Sequence, residues 1–351
     1  MALVTILLPT YNRAHFLPHA IESALSQSFT DIQLIILDDA SPDDTPGAVR
    51  PFLEDTRVRY VRHGENKGIT GNWRFGLELV DTEFFCLLED DDIFGPDFVE
   101  RMIKPLQNDR ELILSFCDHW AIDAVGKRNH GLTSMMSRQF GRSQRQTGPV
   151  KDLAEAALIT GSVGITATMF RSAFISSDFI RDEAAGGIDY WLLYQCVRTG
   201  RTAYYLSDRL MEYRLHGAGM SHSMPEMMAR GHLFLYEEIV RDPNFVRLHE
   251  AARRKLHYTA TCYGINLLTS HRPEEAVNLL AEALRYGFTA RAYVAYRLAL
   301  WEKGRVLAHS LRRIKQQAAQ TVLPILFQYS VMNIGLLRLA KRLTHGIFFR
   351  H

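Results

Sequence analysis

Two groups of acidic residues follow apolar runs within the first hundred residues. The apolar residues 84–88 end at Glu89, Asp90, Asp91 and Asp92, and the apolar residues 32–37 end at Asp38 and Asp39. Carboxylates this close repel one another, so fold stability alone gives little reason for them, and a divalent cation would relieve the repulsion. Oxygen-only ligands suit Mg²⁺ or Mn²⁺. The pattern therefore predicts a metal beside an anionic ligand such as a diphosphate.

The elements that would position these acids alternate between strand and helix patterns. Short apolar runs predict strands at residues 4–8, 32–37, 58–62, 84–88, 112–117 and 163–170, and apolar side chains at helical spacing predict helices at 16–27, 71–80 and about 189–199. This order predicts an α/β fold with a mostly parallel sheet flanked by helices. Such sheets bind ligands beyond the carboxyl ends of their strands, where both acidic groups would lie.

The chain's length and composition allow a large globular protein of two domains. It has 351 residues, 47% of them hydrophobic and 23% charged, which excludes a disordered chain. No Gly-x-Gly-x-x-Gly or Gly-x-x-x-x-Gly-Lys-Ser/Thr motif is present, which argues against a dinucleotide-dependent oxidoreductase and against a P-loop ATPase. Residues 127–149 are polar, and we expect a mobile loop over an acceptor site there.

The charge of the chain is unevenly distributed. The net charge is +2, but residues 303–351 carry nine Lys or Arg and no acid, which leaves the rest of the chain at about −7. A basic amphipathic helix on an anionic membrane surface and a C-terminal helix packed on the core both fit this tail. No nucleic-acid-binding motif accompanies the tail, and we expect no nucleic-acid partner.

Several short motifs, taken in order, resemble family 2 glycosyltransferases. They are Leu7-Leu8-Pro9-Thr10-Tyr11-Asn12-Arg13, Ile36-Leu37-Asp38-Asp39-Ala40-Ser41, Asn66-Lys67-Gly68 with Asn72, and Leu88-Glu89-Asp90-Asp91-Asp92. The similarity covers about residues 3–100 and, more loosely, 160–221. The resemblance implies a GT-A fold and an inverting, metal-dependent enzyme that uses a nucleotide-diphosphate sugar. It also implies a catalytic domain at 1–224, divided into a nucleotide-binding half (1–95) and an acceptor half (96–224). The resemblance does not cover residues 225–351, which we expect to be helical because strand patterns nearly vanish beyond Pro225.

The resemblance assigns a donor-binding role to residues that follow the first four predicted strands. These residues are Pro9, Thr10, Tyr11, Asp38, Asp39, Asn66, Gly68, Asn72 and Asp90. A carboxylate can accept hydrogen bonds from a uracil N–H or from ribose hydroxyls, which fits Asp38 and Asp39. The alternative for this pair is a purely local turn and helix cap.

The family's metal motif matches residues 89–91. The resemblance implies that Asp91 binds the cation directly and that Glu89 or Asp90 reaches it through water or contacts the ribose, with Asp92 as the next candidate. A second motif, Tyr213-Arg214-Leu215-His216 followed by Ser221, places Arg214 and His216 on one side of an extended segment. Arginine suits phosphate, and histidine can meet either phosphate or metal, so Arg214 is expected at the donor and His216 at the metal.

The general base is expected in the second half of the catalytic domain. Where the family carries acidic residues at the start of a helix, this chain has Ile188 and then Asp189. Inversion needs one carboxylate to take the proton of the acceptor hydroxyl, and Asp189 is the remaining candidate. A helix-capping role is compatible with this function.

The expected reaction moves a sugar from a UDP- or dTDP-sugar to a hydroxyl of a glycan or lipid-linked acceptor. Because Ile188 replaces an acid, a catalytically inactive sugar-nucleotide-binding or scaffold protein at the membrane surface is the alternative. The chain has no basic leader ahead of an apolar segment, so we expect a cytoplasmic protein, with peripheral attachment to the inner face of the cell membrane through the tail.

Overall fold

The computed structural model describes residues 2–217 and 224–300. The chain divides into two compact units, the first ending at His216 and the second beginning at Gly217. The first unit contains a sheet that, across the described residues, has nine strands. The second unit is helical in its described part.

The first half of the sheet is parallel, as predicted. Its elements are β1 (Val4–Thr10), α1 (Leu17–Leu25), β2 (Ile32–Asp38), α2 (Thr45–Val49), β3 (Val58–Arg62), α3 (Gly68–Glu78) and β4 (Phe84–Leu87). The strands lie in the order β3-β2-β1-β4. All seven residues of β1 are buried, because helices cover both faces of a parallel sheet. This half confirms the predicted strand and helix order.

The second half of the sheet mixes strand directions. Its elements are β5 (Ile93–Phe94), α4 (Phe98–Asn108), β6 (Leu112–Ile122), α5 (His130–Gln139), β7 (Gly148–Pro149), β8 (Thr168–Arg171), α6 (Ile188–Arg198) and β9 (Thr202–Arg214). The sheet continues from β4 in the order β8-β6-β9-β5, with β7 also on β9. β8 is antiparallel to β4 and β6, whereas β6 and β9 are parallel. Beyond β4 the sheet is therefore mixed, and the long pairing of β6 with β9 keeps the sheet mostly parallel, as predicted.

The prediction of a mobile loop at residues 127–149 is wrong, because α5 and a 3₁₀ helix at Arg142–Gln144 occupy more than half of this segment. α5 begins after Asn129, whose side chain accepts a hydrogen bond from the Leu132 amide at 2.9 Å. Met136 is 2% exposed and anchors α5 on the core. Arg142, just beyond α5, is also 2% exposed and forms an ion pair with Asp118 on β6 at 3.2 Å. Buried anchors of this kind hold a polar segment in place.

The second unit packs four helices in its described part: α7 (Pro225–Arg241), α8 (His249–Thr269), α9 (Pro273–Tyr286) and α10 (Ala290–Leu300). α8 and α9 approach closely at Gly264, where a Cβ would lie 2.6 Å from the Leu280 side chain. The predicted tail helix lies outside the described residues. Across the residues that are described, none of the helices is both long and apolar enough to cross a bilayer.

Candidate active site

The predicted donor-binding residues meet where the parallel strands end. The register pairs Thr10, the last residue of β1, with Asp38, the last residue of β2. The next residue, Asp39, donates its amide to the Thr10 carbonyl at 3.0 Å. From the other side, the Tyr11 amide lies 3.4 Å from Asp90 Oδ2. Pro9 and Thr10 are buried while Tyr11 is 46% exposed, so the chain emerges from the sheet between the two acidic groups.

The loops after β1 and β2 are locked to each other. Asn12 and Ala40 adopt left-handed φ angles of 58° and 57°, which non-glycine residues seldom do. The Asn12 amide donates to Ser41 Oγ at 3.0 Å, and the Ala14 amide donates to Asp43 Oδ2 at 2.9 Å. These cross-loop hydrogen bonds fix the backbone around Asp39.

Asp39 faces the loop that precedes α3. Its Oδ1 accepts a hydrogen bond from the Lys67 amide at 2.7 Å, and the residue is 3% exposed. In the same loop the Gly68 amide donates to Asn66 Oδ1 at 2.9 Å, and Gly68 has a φ of 72° that favours glycine. The structure therefore brings Asn66 and Gly68 to the turn that contacts Asp39.

Asp38 has an internal role. It is fully buried, and its carboxylate accepts hydrogen bonds from the Ser41 amide at 2.8 Å, the Tyr60 hydroxyl at 2.5 Å and the Arg62 guanidinium at 3.1 Å. Burial, and next the hydrogen bond to Asp38, raise the pKa of Tyr60 to about 12. With three protein donors and no exposed surface, Asp38 holds the loop instead of meeting a ligand, and we revise its predicted role.

Asn72 is likewise a structural residue. It is 4% exposed, its amide donates to the Leu37 carbonyl at 3.0 Å, and its oxygen pairs with His63 Nε2 at 3.1 Å. These bonds attach α3 to the end of β2. The predicted donor contact by Asn72 is revised for the same reason as that of Asp38.

The acidic group after β4 is much less well compensated. Asp91 Oδ2 accepts a hydrogen bond from His216 Nε2 at 2.8 Å. Asp92 Oδ1 accepts one from the Arg214 amide at 2.9 Å, but its other oxygen is buried without a hydrogen-bond partner among the described residues. The buried Thr10 hydroxyl has no partner at normal hydrogen-bond geometry, but it lies close enough to Asp90 to lower the pKa of that carboxyl. Buried polar atoms are normally paired, so unpaired ones indicate a missing partner.

Three carboxylates of this group, those of Glu89, Asp90 and Asp92, have raised pKa values. Burial, followed by the charge of Asp91, raises the pKa of Asp90 to about 7 and that of Asp92 well above its usual range. Burial and the neighbouring charges of Asp91, Asp90, Asp92 and then Asp189 raise the pKa of Glu89 in the same direction. A bound cation would offset all of these shifts.

Arg214 braces the acidic turn. It is 6% exposed, and its guanidinium donates to the carbonyl oxygens of Asp91 at 2.7 Å and of Asp123 and Ala124 at 3.2 Å each. These bonds engage Nε and Nη1 and hold the acidic turn, and the donor contact of Arg214 stays a prediction. The Arg214 guanidinium also stacks over the Phe16 ring at 5.1 Å.

Asp189 lies in the first turn of α6 and is only partly buried. Its charge is the smallest of the named effects that raise the pKa of Glu89, so Asp189 lies within electrostatic reach of the acidic group. Burial raises the pKa of Asp189 itself to about 6, a value suited to a general base near neutral pH. Its neighbour Ile188 is 2% exposed. The replacement of an acid there is explained by packing, because this side chain belongs to the core.

Two further residues at the site were missed by sequence reasoning. Phe16, which we assigned only to a helix face, stacks against His216 with ring centroids 4.8 Å apart. Arg13 lies near enough to Asp90 for its positive charge to lower the pKa of that carboxyl, against the larger effect of burial. Arg13 stands in the first motif, and its place in that motif was the sequence signal available.

The residues present fit a divalent cation only in part. Among residues 2–217 and 224–300, no three His, Cys, Asp or Glu side chains converge as a complete metal site. What the structure offers is the Asp91–His216 pair and the unpaired oxygen of Asp92. Mg²⁺ and Mn²⁺ commonly use one or two protein ligands and take the rest from phosphate and water. The donor set therefore fits a cation that arrives with a diphosphate.

Comparison with known proteins identifies the family. Residues 5–176 match the model of glycosyl transferase family 2. An uncharacterized glycosyltransferase of Rickettsia typhi is 24% identical over 217 residues, which are 62% of this chain and 65% of that protein. The succinoglycan biosynthesis protein ExoO of Rhizobium meliloti is 35% identical over 101 residues, which are 29% of each chain. The chain thus matches about two thirds of the first relative and less than a third of the second.

Solved structures share the fold at low sequence identity. Staphylococcus aureus TarS 1–349, in complex with UDP-GlcNAc, has a TM-score of 0.61 at 15% identity, covering 97% of this chain and 92% of that one. The Pyrobaculum calidifontis mannosyltransferase PcManGT, in complex with GDP-Man and Mn²⁺, has a TM-score of 0.51 at 17% identity, covering 92% and 87%. The chain therefore has the GT-A fold and belongs to glycosyl transferase family 2.

Proposed function

We propose that the chain is an inverting glycosyltransferase that moves a sugar from a UDP- or dTDP-sugar to a hydroxyl of a glycan or lipid-linked acceptor. The observation that carries the proposal is a set of three acidic groups. Asp39 and the acidic residues 89–92 meet at one sheet edge, and the charge of Asp189 acts on Glu89. One group can hold a nucleoside, the second a cation with its diphosphate, and the third a reacting hydroxyl.

The donor would be held by the two locked loops. The backbone at Pro9, Thr10 and Tyr11 and the carboxylate of Asp39 face the position of the nucleoside, and the Asn66–Gly68 turn closes it. The nucleotide-sugar complexes of TarS and PcManGT, which share this fold, support a ligand of this class. Asp90 would contact the ribose or a water molecule on the cation.

Mg²⁺ or Mn²⁺ would be held by Asp91, with His216 as a second ligand and Glu89 or Asp92 through water. His216 Nε2 donates to Asp91 in the structure, so a cation bound by both groups would displace that proton. The cation would supply charge stabilisation for the departing diphosphate.

Asp189 would act as the general base. Its carboxylate takes the proton of the acceptor hydroxyl as that oxygen forms a bond to the anomeric carbon. The bond from the anomeric carbon to the diphosphate oxygen breaks at the same time, and its electron pair leaves with the nucleoside diphosphate. Attack from the side opposite the leaving group inverts the anomeric centre.

Glycan and membrane partners are also proposed. Chondroitin synthase of Escherichia coli, 32% identical over 125 residues but matched over only 18% of its length, and ExoO both bear names that refer to polysaccharide. These names support a glycan acceptor. The catalytic domain would span 1–224 and the helical region 225–351. The basic tail, which lies outside the described residues, would meet anionic lipid.

Donor turnover tests the proposal. We expect the wild type to release nucleoside diphosphate from a UDP- or dTDP-sugar with Mn²⁺, and Asp189→Asn to lower the rate by about 10²–10⁴-fold. The matched control is Asp178→Asn, which changes an exposed acid that precedes α6 in the sequence. This variant should leave the rate unchanged. The rate should fall about tenfold per pH unit below about pH 6, since protonated Asp189 cannot accept a proton.

If the wild type and Asp189→Asn both turned over every donor of a broad panel only at the background rate, the enzyme would be ruled out. The inactive binding protein would then be the function that remains. Nothing in the described site favours that alternative, because Ile188 is explained by packing.

A further inference from the structure

Helix α3 joins the two sides of the proposed active site. Its N-terminal turn contacts the nucleotide side, because the Lys67 amide donates to Asp39 at 2.7 Å. Asn72 attaches the middle of the helix to the Leu37 carbonyl at 3.0 Å. Gly76 lets the helix lie against the sheet, since a Cβ there would be 2.5 Å from the Leu37 side chain. α3 is therefore seated firmly relative to Asp39.

The same helix contacts the segment that leads to Asp189. The Arg74 guanidinium donates to Asp182 Oδ1 at 2.9 Å and to the Ile180 carbonyl at 3.2 Å. Hydrogen bonds from Arg74, and next from Thr70 on the adjacent turn, lower the pKa of Asp182. Two side chains of one helical face thus bind the start of this segment.

The same end of the segment is attached to the helix that carries Asp189. Trp191 Nε1 donates to the Phe179 carbonyl at 2.6 Å, and Trp191 is 3% exposed. Residues 179–182 therefore contact α3 through Arg74 and α6 through Trp191. Trp191 lies two residues beyond Asp189 on α6, so this contact joins the segment to the turn that carries Asp189.

We propose that Arg74 is a positioning residue that sets the place of Asp189 relative to the bound donor, through its contacts with Asp182 and Ile180. The proposal rests on the function proposed above and deepens it. Arg74 touches no substrate in this scheme; it fixes the distance between the nucleotide side and the base side of the site.

Energetics separate this role from a general structural one. The Arg74 and Asp182 side chains are 37% and 75% exposed, and an ion pair with that exposure contributes little to stability. In contrast, misplacing a catalytic group by about 1 Å can lower turnover by about 100-fold. Loss of Arg74 should therefore reduce kcat far more than it reduces stability.

The kinetic experiment compares Arg74→Ala with Arg101→Ala in the full chain, using the donor turnover assay. Arg101, which lies on a different helix, α4, is the matched control. Its side chain is also 37% exposed, and it forms an ion pair with Asp208 at 2.7 Å. We expect Arg74→Ala to lower kcat about 10–100-fold with the donor KM within about threefold, and Arg74→Lys to recover part of the loss. Arg101→Ala should match the wild type, and both variants should have similar Tm values.

Hydrogen exchange of the ligand-free chain tests the same contact without any activity. Amides of residues 180–189 should exchange about tenfold faster in Arg74→Ala than in the wild type or Arg101→Ala. Unchanged exchange there, or a kcat loss no larger than that of Arg101→Ala, overturns the proposal. A wild type that turns over no donor, with faster exchange in Arg74→Ala, overturns the proposed function and leaves the positioning contact standing.

Discussion

Asp38 and Asp92 are both buried carboxylates near strand ends, yet their surroundings differ sharply. Asp38 is 0% exposed and accepts three hydrogen bonds from the protein, one of them from arginine. Asp92 is 1% exposed and accepts one, from the Arg214 amide, while its other oxygen has no partner in the described part of the chain. Asp38 thus has three donors from the fold, whereas Asp92 has one backbone amide and the smaller effects of Thr166 and of the Arg214 charge.

Asp38 thus has its partners within the fold, and we propose that the acidic group after β4 takes its partner from a ligand. A buried carboxylate without partners is unfavourable unless something else neutralises it. Sequence alone treats the two groups alike, because both are acids after an apolar strand. Predictions that separate them follow, beginning with the largest expected effect.

Asp91→Asn should abolish most of the activity while leaving the fold intact. We expect donor turnover to fall about 10²–10³-fold, because the leaving diphosphate loses charge stabilisation, and the Mn²⁺ concentration for half-maximal rate to rise. Steady-state rates across a Mn²⁺ titration measure both quantities. Asp208→Asn, an acid in an exposed ion pair, is the control. Unaltered Mn²⁺ dependence in Asp91→Asn would remove Asp91 from the metal site.

Asp38→Asn should have the opposite effect. It removes the charge that faces Tyr60 and Arg62, so we expect the free energy of unfolding to fall by about 2–3 kcal/mol. Urea unfolding measures that loss, and the rate per folded molecule should stay within about threefold of the wild type. A stable Asp38→Asn protein with poor donor binding would instead indicate that Asp38 contacts the ligand.

The metal-free protein should lose stability as pH rises, and Asp90 should be one cause. Its pKa is raised to about 7 in the fold from 3.8, so its contribution is fully present below about pH 4 and lost as pH rises through 7. Asp90→Asn should therefore stabilise the metal-free protein at pH 8 by about 2 kcal/mol and have little effect at pH 4. Thermal unfolding with EDTA at both pH values tests this. Equal Tm shifts at pH 4 and pH 8 would contradict it.

The first half of the sheet was predictable because its strands are buried on both faces. Where strand and helix patterns alternate, a continuous apolar run such as that of β1 predicts a buried parallel strand. The second half was harder. β9 carries polar Ser207 and Asp208 beside irregular pairing with β6, and α4 contains Pro105 although its other side chains form an apolar face. Neither pattern identifies its element without the neighbouring strand or helix.

The candidate site was predictable to the level of strand ends but not of individual partners. The internal role of Asp38 depends on Tyr60 and Arg62 in β3, and the register that aligns Asp38 with Arg62 is a property of the folded sheet. Arg214 illustrates the same limit, because its three carbonyl acceptors come from two separate turns. Residue type predicts which groups can bind a ligand, whereas tertiary contacts decide which are already engaged.

The left-handed residues Asn12 and Ala40 have a consequence for how the chain can evolve. Alanine in this conformation costs about 1–2 kcal/mol relative to its preferred backbone, whereas glycine adopts it freely. Ala40→Gly could thus relax the turn in the native protein, but it would also let the loop beside Asp39 wander between ligands. Alanine at position 40 therefore keeps the loop beside Asp39 stiff. Such a loop would not need to become ordered again each time a donor molecule bound.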